Sequence, residues 1–228
     1  MQNPLIDSQR NAEASRYALL RRLAPAIRHQ MAGSFQPVTM MAAIIEKRLL
    51  TASPDMSALA KTSNDVRTLA TAATRSSLDL MGWVAPDPEA RVRVDKGILD
   101  ALHLVATELS FRGFKFVNQT EGLATEVALH QVRGVFVAAV LALADAAASP
   151  ATMLLTAAPA GKDMVVTVAL SPVEPAAVAI APSEEFHVGL ATYRKIEWDD
   201  VEAIATADGV ALKHAATTVE LRLPIASA

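Results

Sequence analysis

Five histidines are the side chains best placed to do chemistry near neutral pH, and their setting separates one from the other four. His29 lies in a stretch of helical periodicity, with Arg21, Arg22 and Arg28 close by and Pro25 and Pro37 on either side. Apolar residues Leu20, Leu23, Ile27, Met31, Val38, Met41, Ile45 and Leu49 fall within roughly 40° either side of one line on a helical wheel, and Ser34 joins them. His29 lies about 200° from Ile27 on that wheel, so its imidazole faces away from the stripe. Arg22, Gln36 and Lys47 share its face. Each flanking proline deletes a helix hydrogen bond and favours a kink, a cost that often marks a working site. The residue pattern alone leaves two readings open, an ordinary surface histidine and a functional imidazole. His103, His130, His187 and His214 are scattered without ligand spacing and read as structural or surface residues, so no metal site is expected. Asp199 and Asp200 read as the start of a helix capped by Asp199, with Glu202 three residues on, rather than as a catalytic carboxylate pair.

The 228 residues are 52% hydrophobic, 4% aromatic and 20% charged, which excludes a disordered chain and provides for real cores. With no cysteine, disulfides and cysteine-ligated zinc or iron–sulfur centres are excluded. The longest apolar run, Val135 to Ala144, is about half of what a membrane span needs. Gln2, Asn3, Asp7 and Arg10 break up any apolar secretion segment, so the expected location is the cytoplasm, without a membrane. The net charge of −3 hides an asymmetry: residues 1–85 carry +4 and residues 86–228 carry −7. No dense basic stripe with interleaved aromatics is present, so nucleic acid is not an expected partner.

The elements that must position His29 follow from the same periodicities. A long helix from Ala12 to Leu50 is broken at Thr51–Asp55, and a second runs from Met56 to Leu80, burying Leu59, Val66, Leu69, Ala73 and Leu80 before Gly82 ends it. The short connection makes them an antiparallel hairpin. Such a hairpin cannot bury its stripe alone; pairing of two copies into a four-helix bundle would do so, and packing on the second domain is the alternative. Ala85-Pro86-Asp87-Pro88 marks a boundary, giving domains 1–85 and 86–228. The second domain reads as strand Arg91–Asp95, helix Gly97–Ser110, strand Phe114–Asn118 and helix Glu126–Ala148. Strands Ala151–Ala157 and Asp163–Leu170 follow, then a loop, helix Val188–Ile196, a short helix and strands Val210–His214 and Thr218–Leu223. The fold class expected is α+β, an N-terminal antiparallel helical hairpin followed by an α/β sandwich.

The stretch from Leu23 to Val38, LAPAIRHQMAGSFQPV, resembles the H-box of bacterial sensor histidine kinases, with His29 at the phosphoacceptor, Met31 and Phe35 at apolar positions and Pro37 eight residues on. The hairpin resembles the dimerisation and phosphotransfer domain of that family, and the second domain resembles its ATP-binding α/β sandwich. From Gly189-Leu190-Ala191 through Asp208-Gly209-Val210 to Leu221-Arg222-Leu223-Pro224 the tail is similar too, so the resemblance spans nearly the whole chain.

The departures from that pattern shape the expectation. The family's asparagines that bind magnesium and phosphates would fall at Ala138 and Ala142, which offer no oxygen donor, so no cofactor is expected. Ser171 to Val178 stands where the family has its adenine-reading Asp-x-Gly-x-Gly, and contains no glycine; Glu174 is a poor substitute. Gln30 replaces the acidic residue that usually follows the histidine, and Gly33 the residue used to aim water. What the resemblance then implies is phosphotransfer between His29 and the aspartate of a response-regulator receiver domain, the regulator supplying its own magnesium. Arg21, Arg22, Arg28, Gln30, Gly33, Gln36 and Met40 are the expected partner-binding residues, and the protein is expected to be a homodimer. The alternatives are a kinase-like scaffold or inhibitor that only binds, and an atypical active kinase.

Overall fold

The computed structural model describes residues 4–172 and 194–226. These form two compact units, Met1–Leu23 with Pro86–Ala228, and Ala24–Ala85. Helix α1 (Pro4–Leu49) is therefore shared: its first turns pack with the α/β unit and not with the hairpin to which the sequence reading assigns them. Asp7 in its first turn and Lys47 and Arg48 in its last complement the helix dipole, and Pro25 and Pro37 lie inside it.

In the hairpin unit α1 continues through Leu49 and α2 spans Met56–Val84. Asp55 caps α2, accepting from the Ser57 and Ala58 amides at 2.9 and 3.0 Å. The helix continues through Gly82 instead of stopping there, and Ala85 closes it by donating to the Met81 carbonyl. Arg48 Nη1 donates to Thr62 Oγ1 at 2.8 Å, tying the two helices near the turn. The predicted stripe holds its phase: Ile27, Met31, Ser34, Val38, Met41 and Ile45 are all half-buried and the residues between them, apart from Pro37 and Ile44, are more exposed. Leu59, Ala73 and Leu80 of α2 are buried, whereas Leu49, Leu50, Leu78 and Met81 stay exposed.

The α/β unit is a mixed sheet with helices on one face. Its strands are β1 (Arg91–Arg93), β2 (Lys115–Asn118), β3 (Glu126–Ala128), β4 (Ala151–Ala160), β5 (Asp163–Pro172), β6 (Ala211–Ala215) and β7 (Thr218–Pro224). The main sheet runs β2-β4-β5-β7-β6, parallel at β2–β4 and antiparallel elsewhere, while β1 and β3 pair separately. Burial alternates along β4, β5 and β7, with Met153, Leu155, Val166, Val168, Val219 and Leu221 on the inner face. Gly161 opens the two-residue β4–β5 turn at φ +65°, a conformation that favours glycine. Helix α3 (Val94–Phe111) lies against the inner face beside a composite helix: α4 (Leu129–Gln131), a π-turn (Val132–Phe136) and α5 (Val137–Ala146). The stretch Leu129–Ala146 is long and apolar enough to cross a membrane, but two thirds of it is buried as the core of this unit. Helix α6 (Trp198–Ala207) packs on α5.

Several sequence expectations change in this unit. Strand β1 ends at Arg93, because α3 begins at Val94. Residues Glu126–Ala128 extend to pair with β1, so the helix starts only at Leu129; local helix preference yields to a cross-strand partner. The cap of α6 is Glu197, not Asp199, and the residue three on is Asp200, whose carboxylate accepts from the Glu197 amide at 3.1 Å. The predicted helix Val188–Ile196 lies outside the described residues except for its last three, which are not helical. Leu143 is wholly buried in α5, and Leu143→Ala is expected to lower stability by about 2–5 kcal/mol in urea unfolding while leaving the helical content intact.

Candidate functional site

His29 is exposed on the face of α1 opposite the half-buried Ile27 and Met31. Its imidazole makes no hydrogen bond to a described residue. Around it Arg28, Gln30, Gly33, Gln36 and Met40 are exposed as well. Arg21 is exposed with its guanidinium 5.9 Å from the Tyr17 ring centre, one turn back. Within the hairpin unit the helix therefore presents an exposed imidazole next to the exposed Arg28, with neutral side chains C-terminal to it.

Gly33 is the unusual member of this face. A helix-interior glycine costs roughly 1 kcal/mol against alanine. Its φ is not positive, and a Cβ built there meets no heavy atom within 4 Å. Gly97 differs, because a Cβ there would lie 2.8 Å from Val92 Cγ1.

Arg22 departs from the expected set. The wheel places it on the face of His29, but the residue is only 4% exposed. It belongs to the part of α1 that packs with the α/β unit, where Nη2 meets Glu108 Oε1 at 2.5 Å and Asp145 Oδ1 at 3.3 Å. Two acidic partners compensate the buried charge, and Arg22 is withdrawn from any docking surface. Arg112 completes the cluster, with Nη1 2.7 Å from Asp145 Oδ1 and Nη2 donating to the Ala144 carbonyl at 2.8 Å. The other carboxylate oxygen of Asp145 accepts from the Ile196 amide at 3.1 Å. Sequence reasoning missed Asp145; a lone carboxylate ending the apolar run Val135–Ala144 is the signal that marks a buried counter-ion.

The same part of α1 makes two further polar contacts. Ser15 Oγ donates to Asp200 Oδ1 at 2.8 Å, and Arg16 Nη2 meets Asp208 Oδ1 at 2.5 Å. Asp200 is also held by Arg194, through Nη1 and Nη2 at 2.5 and 2.6 Å. Burial pushes the Asp200 carboxyl up, but hydrogen bonds from Arg194, the Glu197 amide and Ser15 outweigh it and hold the group below its ordinary value.

Ala138 and Ala142 are sealed in the core of the α/β unit. Neither carries an oxygen donor and neither borders open space, so these positions do not fit a magnesium-bound nucleotide. Ser171 and Pro172 end β5, and Glu174 with the rest of the stretch to Val178 lies outside the described residues, as does His187. His103 is exposed. His130 keeps a buried Nδ1 without a hydrogen-bond partner, and His214 stacks on Trp198 with ring centres 4.0 Å apart. Among the described residues no three His, Cys, Asp or Glu side chains converge to hold a metal ion.

No family model and no curated protein matches the chain. Similar solved structures include a histidine kinase from Burkholderia phymatum STM815, 17% identical over 90% of this chain and 99% of that one, with a TM-score of 0.41. Another is the Acinetobacter baumannii histidine kinase AdeS, 9% identical over 84% of this chain and 98% of that one, at 0.43. A third is the histidine kinase ThkA in complex with response regulator protein TrrA, 13% identical over 97% of this chain and 66% of that one, at 0.41. These are partial likenesses of architecture, and the chemistry rests on the residues themselves.

Arg22→Met leaves Asp145 and Glu108 short of a buried counter-charge and is expected to cost about 3–5 kcal/mol in chemical unfolding, whereas Arg21→Ala stays within about 0.5 kcal/mol. Because the folded-state value of Asp200 is depressed, its contribution is fully present above the unfolded value near about 3.9 and is lost as pH falls through the folded value. Melting followed from pH 6 to pH 2 should therefore fall more steeply for the unaltered protein than for Asp200→Asn.

Proposed function

We propose that the chain is a histidine phosphotransfer protein of a bacterial two-component phosphorelay, carrying a phosphoryl group on His29 and exchanging it with a response-regulator aspartate. The observation that carries this reading is the exposed, unbonded imidazole of His29 on the polar face of a helix whose other face is half-buried. In the forward step a lone pair on one imidazole nitrogen attacks the phosphorus of the receiver's acyl phosphate. The N–P bond forms as the P–O bond to aspartate breaks, the carboxylate leaves with the electron pair, and the proton on the second ring nitrogen stays in place. The chain itself contributes a nucleophile on a preformed helix; the receiver brings its own magnesium and activating groups.

Arg21 and Arg28 suit the acidic pocket of a receiver domain and would raise its encounter rate, while Gln30, Gln36 and Met40 supply neutral contacts. The half-buried stripe from Ile27 to Ile45, with Leu49, Leu50, Leu78 and Met81 left exposed, supports a homodimer in which two hairpins close a four-helix bundle. Residues 86–228 then form a kinase-like sandwich that keeps the architecture and lacks the nucleotide ligands at Ala138 and Ala142.

The test uses receiver domains cloned from the source genome and phosphorylated with a labelled small phosphodonor. Label should pass to the full chain from at least one of them, should be acid-labile as expected for an N–P bond, and should be missing from His29→Ala. Transfer from none of the receivers would overturn the assignment. Tight binding without transfer would favour the scaffold reading instead.

A further inference from the structure

We propose that Met40 is an oxidation switch on the docking face of α1: peroxide converts its thioether to a sulfoxide, and the more polar side chain then disfavours the partner that reaches His29. The inference rests on the phosphotransfer reading above. Met40 follows His29 by eleven residues, which is roughly 20° round the helix and about 16 Å along it. Gln36 lies between them, roughly 20° to the other side, so the three form one exposed strip. A standard interface covers about 800 Å² on each partner, a patch about 30 Å across, so a domain seated over His29 also covers Met40. Met40 is the large apolar side chain of that strip and is 59% exposed. Its flexible, polarisable thioether suits an adaptable contact.

The composition directs oxidants to methionine. The chain has eight methionines and no cysteine, so no thiol competes for a peroxide. Met153 and Met164 are fully buried in the α/β unit, and Met31 and Met41 are half-buried on the stripe of α1. Among the described residues Met40, Met56 and Met81 are the exposed methionines. Met56 is 69% exposed and begins α2, next to the turn, whereas His29 lies about 30 Å from that end of α1. It therefore reports oxidation away from the docking face. In the reaction the sulfur lone pair attacks one peroxide oxygen, an S–O bond forms as the O–O bond breaks, and the departing hydroxide is protonated to water. Sulfur gives up two electrons and the peroxide takes them; methionine sulfoxide reductases return the thioether. Burying the new S–O dipole under a partner that offers it no hydrogen bond costs affinity.

The experiment oxidises the full chain with hydrogen peroxide, removes the peroxide, and then adds a phosphorylated receiver that labels the unoxidised protein. Peptide mass mapping should find an added oxygen at Met40, Met56 and Met81 and none at Met153 or Met164. Oxidation should raise the receiver concentration for half-maximal labelling about tenfold, and reductase treatment should restore it. Labelling of His29 by phosphoramidate, which has no docking surface, should change less than about twofold. Each variant is compared with itself before and after peroxide. Met56→Leu should keep the loss, and Met40→Leu should no longer show it. A Met40→Leu chain that loses transfer as deeply as the unaltered one would overturn the switch. So would an equal loss with receiver and phosphoramidate, a loss that the reductases do not reverse, or unchanged transfer with Met40 oxidised. If no receiver labels even the unoxidised chain, the phosphotransfer reading itself fails, and this inference falls with it.

Discussion

The buried carboxylate of Asp145 is the interaction on which the α/β unit most depends. One side chain at the end of α5 binds Arg112 from the close of α3, Arg22 from α1 and the amide of Ile196 ahead of α6. Four segments distant in sequence thus meet at one charge. Isolated, an ionised carboxylate in such a place would be too costly to keep. Surrounded by two guanidiniums and a backbone donor, it is compensated on every side the contacts describe, and removing any one partner would leave the charge less well satisfied. Glu108 extends the network and leaves Arg22 with an acidic partner on either side.

That network also recasts the charge asymmetry. The excess of basic residues in the first 85 positions and of acidic ones after them looks like a contrast between two domains. In the fold part of it is internal pairing: Arg16 and Arg22 of α1 are matched to Asp208, Glu108 and Asp145. Arg21 and Arg28 remain outward, so the basic surface near His29 is smaller than the residue count suggests. A helical wheel cannot make this distinction. It ranks residues round one helix axis and contains nothing about what a neighbouring element brings to the same side.

Much of the architecture was legible because it follows from local patterns. A stripe of period near 3.6 gave the hairpin its phase, and alternating burial along β4, β5 and β7 follows apolar residues at every second position. The solvent exposure of His29 was readable for the same reason. Strand β3 was not, since Glu126–Ala128 is extended only because β1 is beside it, and its three residues carry no strand signal of their own. The capping role of Glu197 was hidden by the more familiar Asp199 two residues on. Ala138 and Ala142 were recognisable as unsuitable ligands, but not as residues sealed within the core; only the packing around α5 decides that.

The shared helix carries a consequence for how the chain is built. The contacts that hold the start of α1 join residues 185 and 192 positions apart, Ser15 to Asp200 and Arg16 to Asp208. During synthesis the first helix leaves the ribosome long before α6 exists. Its opening turns must wait with Leu19, Leu23 and a bare guanidinium in water while the rest of the chain is made. These turns of α1 are thus made before α6 and can be locked by Asp200 and Asp208 only after it has been made.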